Sequence, residues 1–200
     1  MRTIQLRGAL LLLAFGTLSA TAEGPQTRPA EPTSQQEQME KWMLAAQPGE
    51  SHKLLGRLAG RWSMVAKFRD DEQSPWQESK GEAEYEPLLD GRFLLEKAVC
   101  KFEDFEFRWN GLLGHDNVQK KFTAVWVDNM STGMETAEGA AERDVITYSG
   151  QQDDPGSGEH RKFKWIIDLS KPDRATIEMR DIGPDGKEFH NMTLELTRAK

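Results

Sequence analysis

The sequence has one cysteine, no basic tract and a single long apolar run, and each shortage excludes something. Cys100 stands alone, so no internal disulfide forms and the fold must rest on burial and backbone pairing. The four histidines, His52, His115, His160 and His190, lack zinc-site spacing, and neither H-E-x-x-H nor C-x-x-C occurs. No metal and no cofactor is therefore expected. A formal net charge of −7 without a basic tract argues against nucleic acid as a partner. The apolar run, residues 8–19, falls short of the ~20 residues that span a bilayer, so no stable membrane insertion is expected.

That run has another use. Arg2 and Arg7 precede it, and Ala20-Thr21-Ala22 follows with small residues at cleavage-site spacing. This is the tripartite pattern of a secretory signal peptide over residues 1–22, and it predicts a periplasmic or secreted protein. Removal leaves 178 residues, enough for one domain with a sizeable core. Residues 23–48 read as a linker and a short helix. Ser34 is placed to cap the helix, with Glu37 at the third position of a capping box. So short a helix is marginal alone, so Trp42 and Met43 are expected to dock on the main domain, residues 49–200.

From Arg61 onward, short strand-like segments alternate with Gly, Pro, Asp and Asn turns, ten in all, with no room for crossover helices. In "KFKWIIDL", Phe163, Trp165, Ile167 and Leu169 share a face opposite Lys162, Lys164 and Asp168. "RATIEMRD" and "NMTLELTR" alternate in the same way. One apolar and one polar face per strand fits an all-β, antiparallel meander of about ten strands curled into a barrel, which also removes exposed edges. Periodicity leaves a two-sheet sandwich open. Cys100, inside a strand-like segment with no supporting cation pattern, reads as a buried structural thiol.

The stretch "FTAVWVDNMSTG", residues 122–133, begins as a strand, with Phe122, Ala124 and Trp126 on one face, and ends in polar side chains. Asp128 and Asn129 suit a turn whose side chains accept backbone N–H groups. A pocket rim is the second reading. Trp109, Trp126, Trp165 and Met192 either line a lumen or fill it.

"LAGRWSMVAKF" places Gly60 two residues before Trp62 at the entry to the first strand, which is similar to the Gly-x-Trp signature of lipocalins and other calycin barrels. A wider resemblance covers residues 48–198. The segments "PGESHKLLGRLAGRW", "DGRFLLEK", "GLLGHDNVQKKFTAVWVDNMSTGM" and "IEMRDIGPDGKEFHNMTLELTR" resemble the bacterial family called domain of unknown function 1579. The resemblance implies a calycin-like barrel with short N-terminal helices, Trp62 sealing one end, and no established activity. His52 and Arg92 are among its landmarks. Some calycin-like barrels hold haem through an inward histidine, for which His190 is the position to inspect.

The reading that follows is an exported barrel that binds a small apolar or amphipathic ligand. His52, Arg92, Trp109, Trp126, Asp128, Trp165, Glu178 and Met192 are its candidate binding residues. The alternatives are an enzyme using His52, Arg92, Asp128 and Glu178 at the barrel mouth, without a recognisable nucleophile constellation, and a protein-interaction module. Export has a direct check. N-terminal sequencing of protein from the periplasmic fraction is expected to start near Glu23, and an intact Met1 terminus in the cytoplasm would refute it.

Overall fold

The computed structural model describes residues 34–102, 105–153 and 158–200. The expected signal peptide and most of the linker lie outside them. Two short helices, α1 (Gln35–Ala45) and α2 (Glu50–Gly56), precede ten strands. These are β1 (Gly60–Phe68), β2 (Gln77–Leu88), β3 (Phe93–Lys101), β4 (Glu106–Asp116), β5 (Lys121–Asp128), β6 (Glu135–Glu142), β7 (Val145–Asp153), β8 (His160–Lys171), β9 (Arg174–Ile182) and β10 (Glu188–Arg198). Each pairs antiparallel with its neighbours in sequence, and β1 pairs with β10, so the sheet closes into a barrel. Closure removes the sandwich alternative and leaves no free sheet edge.

The alternation read from the sequence sets which side chains point in. Trp62, Met64 and Ala66 of β1, Phe163, Trp165, Ile167 and Leu169 of β8, and Ala175, Ile177 and Met179 of β9 are all buried in one core. Cys100 is buried there too, and desolvation pushes its thiol up to about 11, which makes it inert.

In a meander, alternate turns fall at the same end. Four turns, β2–β3, β4–β5, β6–β7 and β8–β9, share the end where β1 starts, and α2 covers it. Leu55 of α2 and Leu58 are buried in the core. Trp62 completes this closed end. Its ring is 2% exposed, its indole N–H donates to the Leu58 carbonyl at 2.6 Å, and the Arg198 guanidinium lies 4.2 Å from its ring centroid. Arg198 also donates to the carbonyls of Ala59 and Arg57 at 2.8 Å.

The expectation for α1 is overturned in one respect. Ser34 Oγ does accept from Glu37 N, but no α1 side chain is buried, and Trp42 and Met43 are 70% and 57% exposed. The helix is held through its C-terminal carbonyls instead. Arg92 Nε donates to Ala46 O, and Asn117 Nδ2 to Ala45 O and Gln47 O. Polar capping at one end substitutes for packing of a face.

Removing the ring that seals the closed end leaves a cavity between α2, β1 and β10. Trp62→Ala is expected to lower unfolding free energy by about 3–5 kcal/mol in urea denaturation. A loss under about 1 kcal/mol would mean the ring is peripheral to stability.

Candidate functional site

The lumen contains a polar centre on inward positions of β2, β3, β4 and β5. Glu96, 2% exposed, sits on the face of β3 that also carries Leu94, Ala98 and Cys100. Its Oε1 accepts from Tyr85 Oη at 3.0 Å and Trp109 Nε1 at 2.9 Å, and its Oε2 accepts from Trp126 Nε1 at 3.0 Å. All three partners are neutral donors, an arrangement that suits a carboxylate. Burial nevertheless pushes the Glu96 carboxyl up, with the three hydrogen bonds opposing, and burial beside Glu96 holds the Tyr85 hydroxyl well above its ordinary range. Gly111 makes room for this centre. A Cβ there would stand 2.6 Å from Glu96 Oε2 and 2.7 Å from the Trp126 ring.

Above this centre the Trp126 and Trp165 rings stack at 4.8 Å, with Tyr148 edge-on to Trp126 at 5.8 Å. Tyr148 is 0% and Trp165 6% exposed, yet Tyr148 Oη and Trp165 Nε1 have no hydrogen-bond partner among the described residues. Burial, and then the charge of Glu96, raises the Tyr148 hydroxyl above its ordinary value. These are buried polar atoms of the kind that ordinarily find a partner.

The opposite end carries carboxylates. Half-buried Glu135 opens β6 directly across from Trp126, and its pKa rises to about 7, first through desolvation and then through the charges of Asp128 and Asp181. A concavity of about 890 Å3 lies on the rim here, between the start of β8 and the β9–β10 turn, and Asp181 and Phe189 line it.

The candidate residues therefore divide. Trp109, Trp126, Trp165 and partly buried Met192 meet inside the barrel, as their alternation implied. His52 and Arg92 lie at the closed end. His52 Nδ1 accepts from Gly49 N at 3.0 Å, its ring stands edge-on to His115 at 5.6 Å, and it hydrogen-bonds the His115 backbone. Burial, followed by the His115 charge, lowers its pKa, so it packs as a neutral structural group. Asp128 lies at the opposite end. Its Oδ1 accepts from Met130 N at 2.7 Å and Ser131 N at 2.8 Å, while Asn129 ties the same turn to Arg108 N and Glu106 O. Glu178 is on the outer face, paired with Arg180 at 2.8 Å. The supposed mouth constellation of His52, Arg92, Asp128 and Glu178 does not exist as a cluster. His190 is also turned away from the lumen. A register shift in β10 before Met192 leaves its Nε2 beside Thr193 Oγ1 at 2.8 Å and its ring against Trp76. No group of three or more His, Cys, Asp or Glu among the described residues could hold a metal ion.

Glu96, Tyr85, Tyr148 and Glu135 are candidate positions that the sequence reading passed over. Glu96 had a signal, an acid in phase with Leu94 and Ala98 on an apolar face. Glu135 had a weaker one, two residues before Ala137.

Two measurements follow. Glu96→Gln puts an NH2 group against indole and phenol donors, so at least one buried donor loses its acceptor. A stability loss of about 2 kcal/mol or more is expected in urea unfolding, and a loss below about 0.5 kcal/mol would show that the carboxylate does not organise the lumen. For Glu135 the folded pKa exceeds the ordinary 4.5, so the folded state holds the proton more tightly. Its contribution is complete below pH 4.5 and is lost as pH rises through about 7. Urea midpoints of wild type should therefore fall relative to Glu135→Gln between pH 5 and pH 8, and parallel curves would count against a raised pKa.

Comparison with known proteins gives a family and one structural likeness that bears on the fold. Residues 47–198 match the family model described as "Protein of unknown function (DUF1579)". No curated protein matches. Among solved structures, the crystal structure of Rv2717c from M. tuberculosis is similar at 14% identity and a TM-score of 0.53, covering 77% of this chain and all of that one. A redesigned beta barrel is 19% identical over 72% of this chain and 94% of its own, with a TM-score of 0.38.

Proposed function

We propose, for a chain that belongs to the DUF1579 family of proteins of unknown function, that it is an exported, calycin-like barrel binding a small amphipathic molecule through its open end. The observation that carries this reading is the pair of orphaned polar atoms, Tyr148 Oη and Trp165 Nε1, buried beside a tryptophan stack. Both groups donate hydrogen bonds, so the ligand has an oxygen or nitrogen acceptor that meets them. Glu96 lies close enough to Tyr148 to perturb its hydroxyl, and its charge disfavours an anion there. The ligand is thus uncharged at its inner end and apolar or aromatic along its body, which packs on Trp126, Trp165 and the partly buried Phe107 and Met192. Binding in this form resembles other small-molecule sites, a mostly apolar wall with few polar groups fixing orientation.

Titration with matched alcohols, amides and carboxylic acids of equal chain length tests the reading, with tryptophan emission as the readout. Neutral amphiphiles are expected to bind one to one and to quench emission, and acids to bind at least tenfold more weakly. Tyr148→Phe and Trp165→Phe should each weaken binding by about 5–30-fold, the loss of one hydrogen bond. Absence of binding across the series, or a preference for the acids, would overturn it.

A further inference from the structure

From two apolar surfaces that stay exposed among the described residues, we infer that the chain pairs with a second copy of itself by laying α1 of each copy on the outer face of the other's barrel. This inference is independent of the lumen reading. Met39, Trp42, Met43 and Ala46 repeat at helical spacing, and the first three are 51%, 70% and 57% exposed. An eleven-residue helix that buries no side chain has little to stabilise it beyond its caps. Arg92 and Asn117 hold its C-terminal carbonyls, and among the described residues its apolar side stays exposed.

The second surface is on the sheet exterior. Outward residues of β3, β4 and β5 line up across the strands as Leu95, Leu112 and Val125. Leu112 and Val127 are each 37% exposed and Phe93 39%. This apolar row adjoins a groove of about 800 Å3 across the outside of β1 to β5, lined by charges of both signs, Arg61, Lys97 and Arg108 with Glu82 and Glu84, and by Asn110 and Val127. A helix that lays an apolar side against a neighbouring surface is a recurrent mode of association. Glu37 and Glu40 of α1 can reach the groove's cations, Arg61, Lys97 and Arg108, which among the described residues form exposed pairs with Glu84, Glu86 and Glu106. Such pairs exchange at little cost.

Area favours a second copy over a lone helix contact. At these exposures, the α1 side chains and the outward row together leave roughly 700 Å2 per copy, near the ~800 Å2 per partner of a standard interface. A two-fold arrangement uses both surfaces of both copies at once and closes the assembly.

Sedimentation velocity of the purified protein at about 100 μM, above a micromolar dissociation constant, reads the outcome. Wild type is expected at the mass of two copies. Trp42→Asp, on the helix, and Val127→Asp, in the groove, should each sediment as one copy with the wild-type near-UV circular dichroism of the barrel. A Met43→Cys, Asn110→Cys variant should cross-link between chains under oxidation. A single-copy wild type, a Trp42→Asp variant that still pairs, or a cross-link confined within one chain would overturn the inference.

Discussion

The pairing of the first strand with the last is the constraint on which the structure depends. Seven cross-strand pairs from Trp62–Arg198 to Phe68–Met192 turn an open meander into a closed sheet. At one end of that seam Trp62 fills the closed end, and Arg198 spans its ring to reach the chain entering β1. Without closure the inward faces of ten strands would have no common interior, and edge N–H and C=O groups would be open to other chains. The lumen and everything in it are consequences of this seam.

Closure also explains how a carboxylate can occupy the core. Glu96 would be costly on any apolar sheet face without partners. Inside the barrel, donors from β2, β4 and β5 approach it from positions that only a curved sheet brings together. The glycine at 111 permits that approach by leaving space on the neighbouring strand. The three donors on Glu96 are used, whereas Tyr148 Oη and Trp165 Nε1 nearby are not. That difference, between a completed network and one with unused donors, divides the lumen into two regions of unlike hydrogen bonding.

The two ends of the barrel have different chemistry for the same topological reason. Odd and even strands run in opposite directions, so His52, Arg92 and the histidine at 115 gather at the helix-covered end, where hydrogen bonds to backbone tie α1 and α2 to the sheet. Asp128, Glu135 and Asp181 gather at the other, where burial and then the neighbouring charges favour the protonated form of Glu135. The polar run after Trp126 belongs to that second end, but its side chains are engaged by the turn itself. Asp128 caps the backbone of residues 130 and 131, and Asn129 ties the turn to β4.

The sequence by itself determined the number of strands, their antiparallel order and the inward set, because a period of two assigns each side chain to a face without knowledge of its neighbours. It also determined the turn at Asp128-Asn129, whose hydrogen bonds span only a few residues, and the burial of Cys100. Closure, the end to which each candidate belongs and the identity of the polar centre depend on contacts across many residues. Tyr85 and Trp126 meet at Glu96 only after four strands have been laid side by side. The exposure of Trp42 escaped sequence reasoning for a related reason. Helical spacing marks an apolar face, but only the tertiary structure decides whether this chain covers it, and here the hydrogen bonds from Arg92 and Asn117 hold the helix end while its face stays open.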